Sequence, residues 1–297
     1  MDASRNDDVT VVVATRNRRD RLFETLPEHR APVILVDNAS DDGGPEEIAS
    51  AFPSVEVVRL GENIGAAARN EGVRRAGTPY VAFADDDSYW SPGSLARAAA
   101  LMGAHPRVGL LSARVLIGAE GRIDPVSEAM AAAPIGGASG VPGPKILGFL
   151  SCAVVVRREA FLAVGGFEPR LFVYGEESLL AMDLAAAGWE LRYAPELVVR
   201  HFPLPAGRDR GARRRIEARN RMLTALLRRP AGVVARTAAT VIRESPAAVV
   251  DVARQLPWAL RHRRPLPPEV EADLVRLSAA CCAGTARFPR RPAAPAG

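Results

Sequence analysis

Residues 81–87 read Val-Ala-Phe-Ala-Asp85-Asp86-Asp87. The apolar residues fit a strand buried on both faces, and they stop abruptly in three carboxylates. Trp90, Ser91 and Pro92 then open a stretch that reads as a helix over 92–103. Acids crowded at a strand end repel one another unless something cationic sits among them. Asp85 and Asp87, two apart, can reach one hard divalent ion and the sugar phosphate it holds. Alone, an acidic triplet is more often a solvated loop, so its flanks have to decide.

Upstream, 9–14, 32–36, 55–60 and 80–84 read as strands, the first two as buried ones, and 18–26, 46–52 and 66–76 as helices. Turn chemistry lies between them at 38–44 and 61–65. This alternation predicts an open, largely parallel α/β sheet with right-handed crossovers. Ligands bind such sheets at the carboxyl ends of the strands. Thr15-Arg16-Asn17, Asp37-Asn38, Asn63 and Asp85–Asp87 all fall at such ends, so all can face one crevice.

Downstream, strands are expected at 108–117, 147–157, 190–193 and 197–201, with helices at 158–164 and 177–187, the latter closed by Gly188. Residues 118–145 are rich in Gly, Ala and Pro and read as a long irregular, functional loop. From 210 the pattern is helical, broken at Pro230, Pro246 and Pro257. The expected division is an α/β catalytic unit over 1–202, a helical Arg-rich extension over 203–287 and a disordered Pro/Ala/Arg-rich tail over 288–297.

The chain has 297 residues, 48% apolar and 25% charged, which suits a soluble globular protein with a large core. No apolar run reaches the ~18 residues of a membrane span, and Met1 to Asp8 lacks the layout of a signal peptide. Three cysteines are too few for a disulfide framework. Cys152 reads as a core thiol, and a reducing, cytoplasmic setting is expected. From residue 203 onward, 19 Arg face 7 acids, a charge of +12. With +5 overall, the rest carries −7. Basic helices with apolar stretches at 222–227, 233–242 and 249–260 read as a peripheral contact with an anionic membrane at its inner face. They read also as helices packed back on the acidic part, or as a dimer contact. Nucleic-acid binding is not expected, because aromatics do not interleave with the arginines.

The motifs form a series: Val11–Arg18 (VVVATRNR), Leu35–Gly43 (LVDNASDDG), Glu62–Gly72 (ENIGAAARNEG), Asp85-Asp86-Asp87, Gly165-Gly166-Phe167, Tyr174–Leu179 (YGEESL), Ala187-Gly188-Trp189 and His201. In this order and spacing, over 9–202, the chain resembles the family 2 glycosyltransferases of GT-A fold. More narrowly, it resembles the rhamnosyltransferase-like branch that acts on bacterial polysaccharides and glycoconjugates. Arg219-Asn220-Arg221 and the leucines after them resemble that branch's tail.

The resemblance implies a metal-dependent, inverting transfer from a nucleoside-diphosphate sugar to a hydroxyl of a glycan, a lipid-linked or another glycoconjugate acceptor. Carried over by position, Thr15 and Asp37 would hold the base and ribose, and Arg69 the base or diphosphate. Asn17, Asn38, Asn63 and Asp86 would belong to the same donor site. Asp85 would take the ribose beside the metal, and Asp87 the metal itself, with His201 in the place of a late metal-ligating histidine. Oxygen ligands suit Mg²⁺ or Mn²⁺, and a histidine nitrogen leans toward Mn²⁺. The family's Glu-Asp pair appears as Glu176-Glu177, which makes Glu177 the candidate general base and Glu176 its partner. Glutamate is one methylene longer than the family's aspartate, and Ser178-Leu179-Leu180 replaces a further acid. That departure also suits a non-catalytic nucleotide-sugar binder. A sugar-phosphate nucleotidyltransferase would need a Gly-rich loop after the first strand, where Thr15–Arg19 has no glycine. Read without the family, Arg69 is equally a surface charge and His201 a sheet-edge histidine.

Overall fold

The computed structural model describes residues 8–136, 140–141, 143–203 and 209–282; the expected disordered tail at 288–297 lies outside them. The first half alternates as its apolar runs dictate. It comprises β1 (Val9–Thr15), α1 (Arg19–Thr25), β2 (Val33–Asp37), α2 (Gly44–Ala51), β3 (Val55–Arg59), α3 (Ala68–Arg75) and β4 (Tyr80–Asp85). The strands β1 to β4 pair in parallel, with Thr15 opposite Asp37 and Ala14 opposite Asp85. Their carboxyl ends are therefore level, and the polar residues that end them share one edge. Side chains alternate between two cores. Val9, Val11, Val13 and Leu35 join Leu22 of α1, while Val12, Ile34 and Val36 join Ala68 and Val73 of α3.

The second half is mixed. It adds β5 (Ser88–Trp90), α4 (Ser94–Ala104), β6 (Val108–Ile117), β7 (Arg122–Ile123), α5 (Pro125–Ala131), β8 (Val154–Arg157), α6 (Arg158–Ala163), α7 (Glu176–Ala186) and β9 (Glu190–His201). Among the described residues these strands complete one sheet of order β3-β2-β1-β4-β8-β6-β9-β5, with β7 on β6. β8 is antiparallel to both neighbours, and β9 is parallel to β6 and antiparallel to β5.

Several sequence expectations change here. The chain after the acids first adds β5, and α4 starts only after Gly93, whose positive φ of 80° turns the backbone. The run 147–157 is strand only at Val154–Arg157; Ser151–Ala153 is a 3-10 turn. Strands expected at 190–193 and 197–201 are one strand, with a register shift against β6 between Ala113 and Arg114. The region 118–145 holds β7 and α5, the latter capped by Asp124 accepting from Val126 N at 2.7 Å.

Four helices follow: α8 (Arg210–Arg228), α9 (Ala231–Glu244), α10 (Pro246–Arg261) and α11 (Pro268–Cys282). Breaks fall at Pro230 and Pro246 as expected, but Pro257 lies inside α10. The hydrogen bond it removes belongs to the carbonyl of exposed Ala253, which water can satisfy. Met222, Leu223 and Leu226 of α8 and Val252 of α10 pack with Leu171 and Leu179 of the α/β unit. Val270 and Leu274 of α11 pack with Met182 of α7. Many tail arginines are engaged at home: Arg215 with Asp251, Arg221 with Glu244, Arg229 with Glu271, and Arg228 with Asp183 of α7. Among the described residues no helix is long and apolar enough to cross a membrane.

Candidate active site

The acids gather their neighbours through pairing of the backbone. Ser88 of β5 lies opposite His201 of β9, and Phe202 N donates to the Asp87 carbonyl at 2.8 Å. This places His201 Nε2 3.2 Å from Asp87 Oδ1, with both side chains largely buried. Asp85 forms an ion pair with Arg69, which is only 8% exposed and so is not a surface charge. Ser88 Oγ accepts from Asp85 N at 2.9 Å. Thr15 Oγ1 donates to Asp86 Oδ2 at 3.1 Å, and Thr25 Oγ1 donates to the Asp86 carbonyl at 3.0 Å. Burial, and then the charges of Asp85 and Asp87, push the Asp86 carboxyl up to about 7.

A carboxylate oxygen of Asp85, a ring nitrogen of His201 and the sulfur of Cys152 lie within 4.8 Å of one another. The buried Cys152 thiol is pushed well above its ordinary range by burial and by the nearby acids, so it stays protonated. Oxygen and nitrogen donors beside excess negative charge fit a divalent ion such as Mg²⁺ or Mn²⁺. Asp85, Asp87 and His201 are the residues able to hold it.

On the β1–β2 side, Asp37 is fully buried. Its Oδ2 accepts from Ser40 N at 3.1 Å, and its Oδ1 has no hydrogen-bond partner among the described residues. It lines a small recess with Thr15, Arg18, Leu35, Ser40 and Pro45. The asparagines tie the loops together. Asn17 donates its backbone N–H to Ser40 Oγ (2.9 Å) and accepts from Asp41 N (3.0 Å). Asn38 donates to the Gly65 carbonyl (3.0 Å) and accepts from Ile64 N (3.1 Å), and Asn63 Oδ1 accepts from Gly65 N (3.0 Å).

The second pair of acids opens α7 across from this edge. Gly65 has φ 64°, and a Cβ there would lie 2.2 Å from the Phe172 carbonyl oxygen. That close approach lets Ala66 N donate to Phe172 O at 2.7 Å, which seats the loop before α7 on the Asn63–Gly65 turn. Glu177 is half-buried and accepts two hydrogen bonds, from Ser151 Oγ (3.0 Å) and Gly175 N (3.2 Å). Glu176 is 5% exposed. Burial, and then the charge of Glu177, push its carboxyl up to about 8, so it keeps its proton at neutral pH. Glu177 is thus the accessible member of the pair.

The candidate donor and metal residues therefore lie along the carboxyl-end edge of the sheet, while Glu176 and Glu177 stand on α7, with Glu177 tied toward that edge through Ser151. Thr25, Ser88, Ser151 and Cys152 were not singled out. Thr25, Ser88 and Ser151 are lone hydroxyls whose partners are fixed by strand register and chain crossings, and Cys152 sat in a run that reads as core.

Residues 10–165 match the family model described as glycosyl transferase family 2. The chain is 31% identical over 216 residues to an N-acetylglucosaminyl-diphospho-decaprenol L-rhamnosyltransferase of Mycobacterium tuberculosis, covering 61% of this chain and 70% of that protein. It is 33% identical over 212 residues to the pre-mycofactocin glycosyltransferase of the same organism, covering 65% of this chain and 42% of that one. Its fold is like that of the mannosyltransferase PcManGT from Pyrobaculum calidifontis, solved with GDP-Man and Mn²⁺. The TM-score is 0.55 at 24% identity, covering 95% of this chain and 77% of that one. It is also like S. aureus TarS 1-349 in complex with UDP-GlcNAc, with a TM-score of 0.54 at 14% identity over 93% of this chain and 92% of that one. The chain belongs to glycosyl transferase family 2 and is a sugar-transferring enzyme of GT-A fold.

Proposed function

We propose that the enzyme transfers a sugar with inversion, and with a divalent metal bound, from a nucleoside diphosphate to a hydroxyl of a lipid-linked or other glycoconjugate acceptor. The observation that carries this is the convergence at one sheet edge of the Asp85–Asp87 cluster with Arg69 and His201, and, across from it, of Glu177 held by Ser151. Ser151 adjoins Cys152, whose sulfur lies within 4.8 Å of donor atoms of Asp85 and His201.

On this reading the base and ribose lie over the strand ends at Thr15 and Asp37; the recess beside Asp37 is itself closed in this structure, and its unpartnered Oδ1 is the acceptor that a donor N–H or O–H would reach once the 38–44 turn opens. Thr15 orients Asp86, and Arg69 faces the diphosphate. Asp85, Asp87 and His201 would hold a Mn²⁺ or Mg²⁺, which would supply Lewis-acid neutralisation of the departing nucleoside diphosphate. Glu177 accepts the proton of the acceptor hydroxyl as it attacks the anomeric carbon from the opposite face. Glu176 is buried, which favours its neutral form and makes it the poorer acceptor for that proton.

The acceptor assignment is supported by the mycobacterial relative, whose name specifies a decaprenol-linked acceptor. Exposed Ile242 of α9 and Val249, Leu256 and Leu260 of α10, close in sequence to Arg243, Arg254 and Arg261, support a peripheral contact with an anionic membrane where such acceptors reside. The test is incubation with a panel of uridine, guanosine and deoxythymidine diphosphate sugars, with and without Mn²⁺, reading nucleotide release and the anomeric configuration of any product. Metal-stimulated turnover with inversion supports the proposal. Binding without turnover would identify a non-catalytic binder, and synthesis of a nucleotide sugar would identify a nucleotidyltransferase.

A further inference from the structure

The loop before α7 is held in an unfavourable backbone conformation. Phe172 (φ 65°, ψ −76°) is the centre of a γ-turn closed by Val173 N donating to Leu171 O at 2.8 Å, and Tyr174 follows at φ 69°. A positive-φ γ-turn is rare and strained. Non-glycine residues stay in such regions only where their surroundings over-determine them.

The restraint comes from α8. Asn220 is 1% exposed and directs its amide Nδ2 at three carbonyls: Leu171 O (2.8 Å), Val173 O (3.0 Å) and Tyr174 O (2.9 Å). Its Oδ1 accepts from Arg219 Nε (3.0 Å) and Nη2 (2.8 Å), which fixes which end of the amide faces the loop. Arg219 Nη2 also donates to Leu171 O at 2.9 Å, and the Arg213 guanidinium lies 4.6 Å above the Tyr174 ring. The same loop gives the Phe172 carbonyl to Ala66 N, beside the donor-side turn, and runs through Gly175 into Glu177.

We propose that Asn220 is a positioning residue, clamping 171–175 so that Glu177 and the donor-side turn at Gly65 keep a fixed separation, and that α8 is thereby part of the catalytic apparatus. This rests on the reading of Glu177 as the base. Only a primary amide fits the place. A carboxylate would set oxygen against three carbonyls, and alanine would take away the Asn220 donor from the Val173 and Tyr174 carbonyls, while Leu171 O would keep Val173 N and Arg219 Nη2.

The test uses the full chain as Asn220→Ala and as the milder Arg219→Lys, with Val241→Ala of α9 as a control. Val241 is in the same apolar cluster but makes none of these hydrogen bonds. Amide exchange is read over 171–176 and 64–68, together with kcat and KM for whichever nucleotide sugar the parent turns over. In Asn220→Ala, exchange over 171–176 should rise about tenfold or more. Its kcat should fall about tenfold to a hundredfold, with donor KM within about threefold. Arg219→Lys should move both in the same direction by less. Val241→Ala should lose stability but keep kcat and loop exchange. Unchanged loop exchange and kcat in both Asn220→Ala and Arg219→Lys would overturn the clamp, as would an equal loss of kcat in Val241→Ala. If Asn220→Ala does not fold, Arg219→Lys against Val241→Ala decides. If the parent turns over no nucleotide sugar, the functional reading fails, while loop exchange still decides the clamp.

Discussion

Glu176→Gln should stabilise the protein by an amount that grows with pH. The Glu176 carboxyl rises from 4.5 to about 8 on folding, first through burial and then through the charge of Glu177. Between those values the native state keeps a proton that the unfolded chain has lost. Unfolding then releases a proton, and stability falls as pH rises through the window, levelling above the folded value. At about 1.4 kcal/mol per pH unit, the window sets a ceiling of about 5 kcal/mol on the penalty above pH 8. Glutamine keeps the shape and cannot ionise, so the variant lacks this penalty. Urea unfolding of both proteins across the window should give curves that converge at its acid end and diverge toward its alkaline end. Glu177→Gln removes the second cause of the shift, so it should narrow the window. Parallel curves for parent and Glu176→Gln would refute the argument that this carboxyl is buried and neutral, and with it the ground for preferring Glu177 as base.

Asp87→Asn removes the carboxylate that faces His201 at 3.2 Å. Turnover should drop about a hundredfold or more, and calorimetry with UDP, GDP and dTDP should show weaker metal-dependent binding; full activity in excess chelator would contradict this. Gly65→Ala sets a methyl 2.2 Å from the Phe172 carbonyl at φ 64°. A loss of about 2–4 kcal/mol is expected in denaturant unfolding, and an unchanged midpoint would be inconsistent with the close approach. The full chain should co-sediment with anionic but not zwitterionic vesicles, and binding should fade with salt. Absence of binding at low salt would leave α9 and α10 as packing elements alone.

The parallel half of the fold was legible because its inner strands β1, β2 and β4 are apolar runs that end in polar residues, and Val9–Thr15 and Val33–Asp37 fall almost where those runs place them. The mixed half was harder for a physical reason. The apolar run at 147–157 is buried or half-buried along its whole length, yet only Val154–Arg157 is strand. A buried run has no exposed face to reveal its period, so a 3-10 turn and a strand look alike in sequence. Ser88–Trp90 is too short to carry a pattern, and its pairing depends on β9 more than a hundred residues later. The acids of the site were legible through crowding at a strand end, and Arg69 and His201 through their place among the motifs. Ser151, Thr25 and the carbonyl-gathering role of Asn220 were not, since each acts through a partner chosen by tertiary folding.

The most direct test of the account is the transfer rate of Glu177→Gln at saturating nucleotide sugar, set beside Glu176→Gln under the same conditions. Glu177→Gln keeps size and loses basicity, so the account predicts a fall of about a hundredfold or more with donor affinity retained, while Glu176→Gln stays active. An inactive Glu176→Gln beside a Glu177→Gln of nearly parental rate would contradict it.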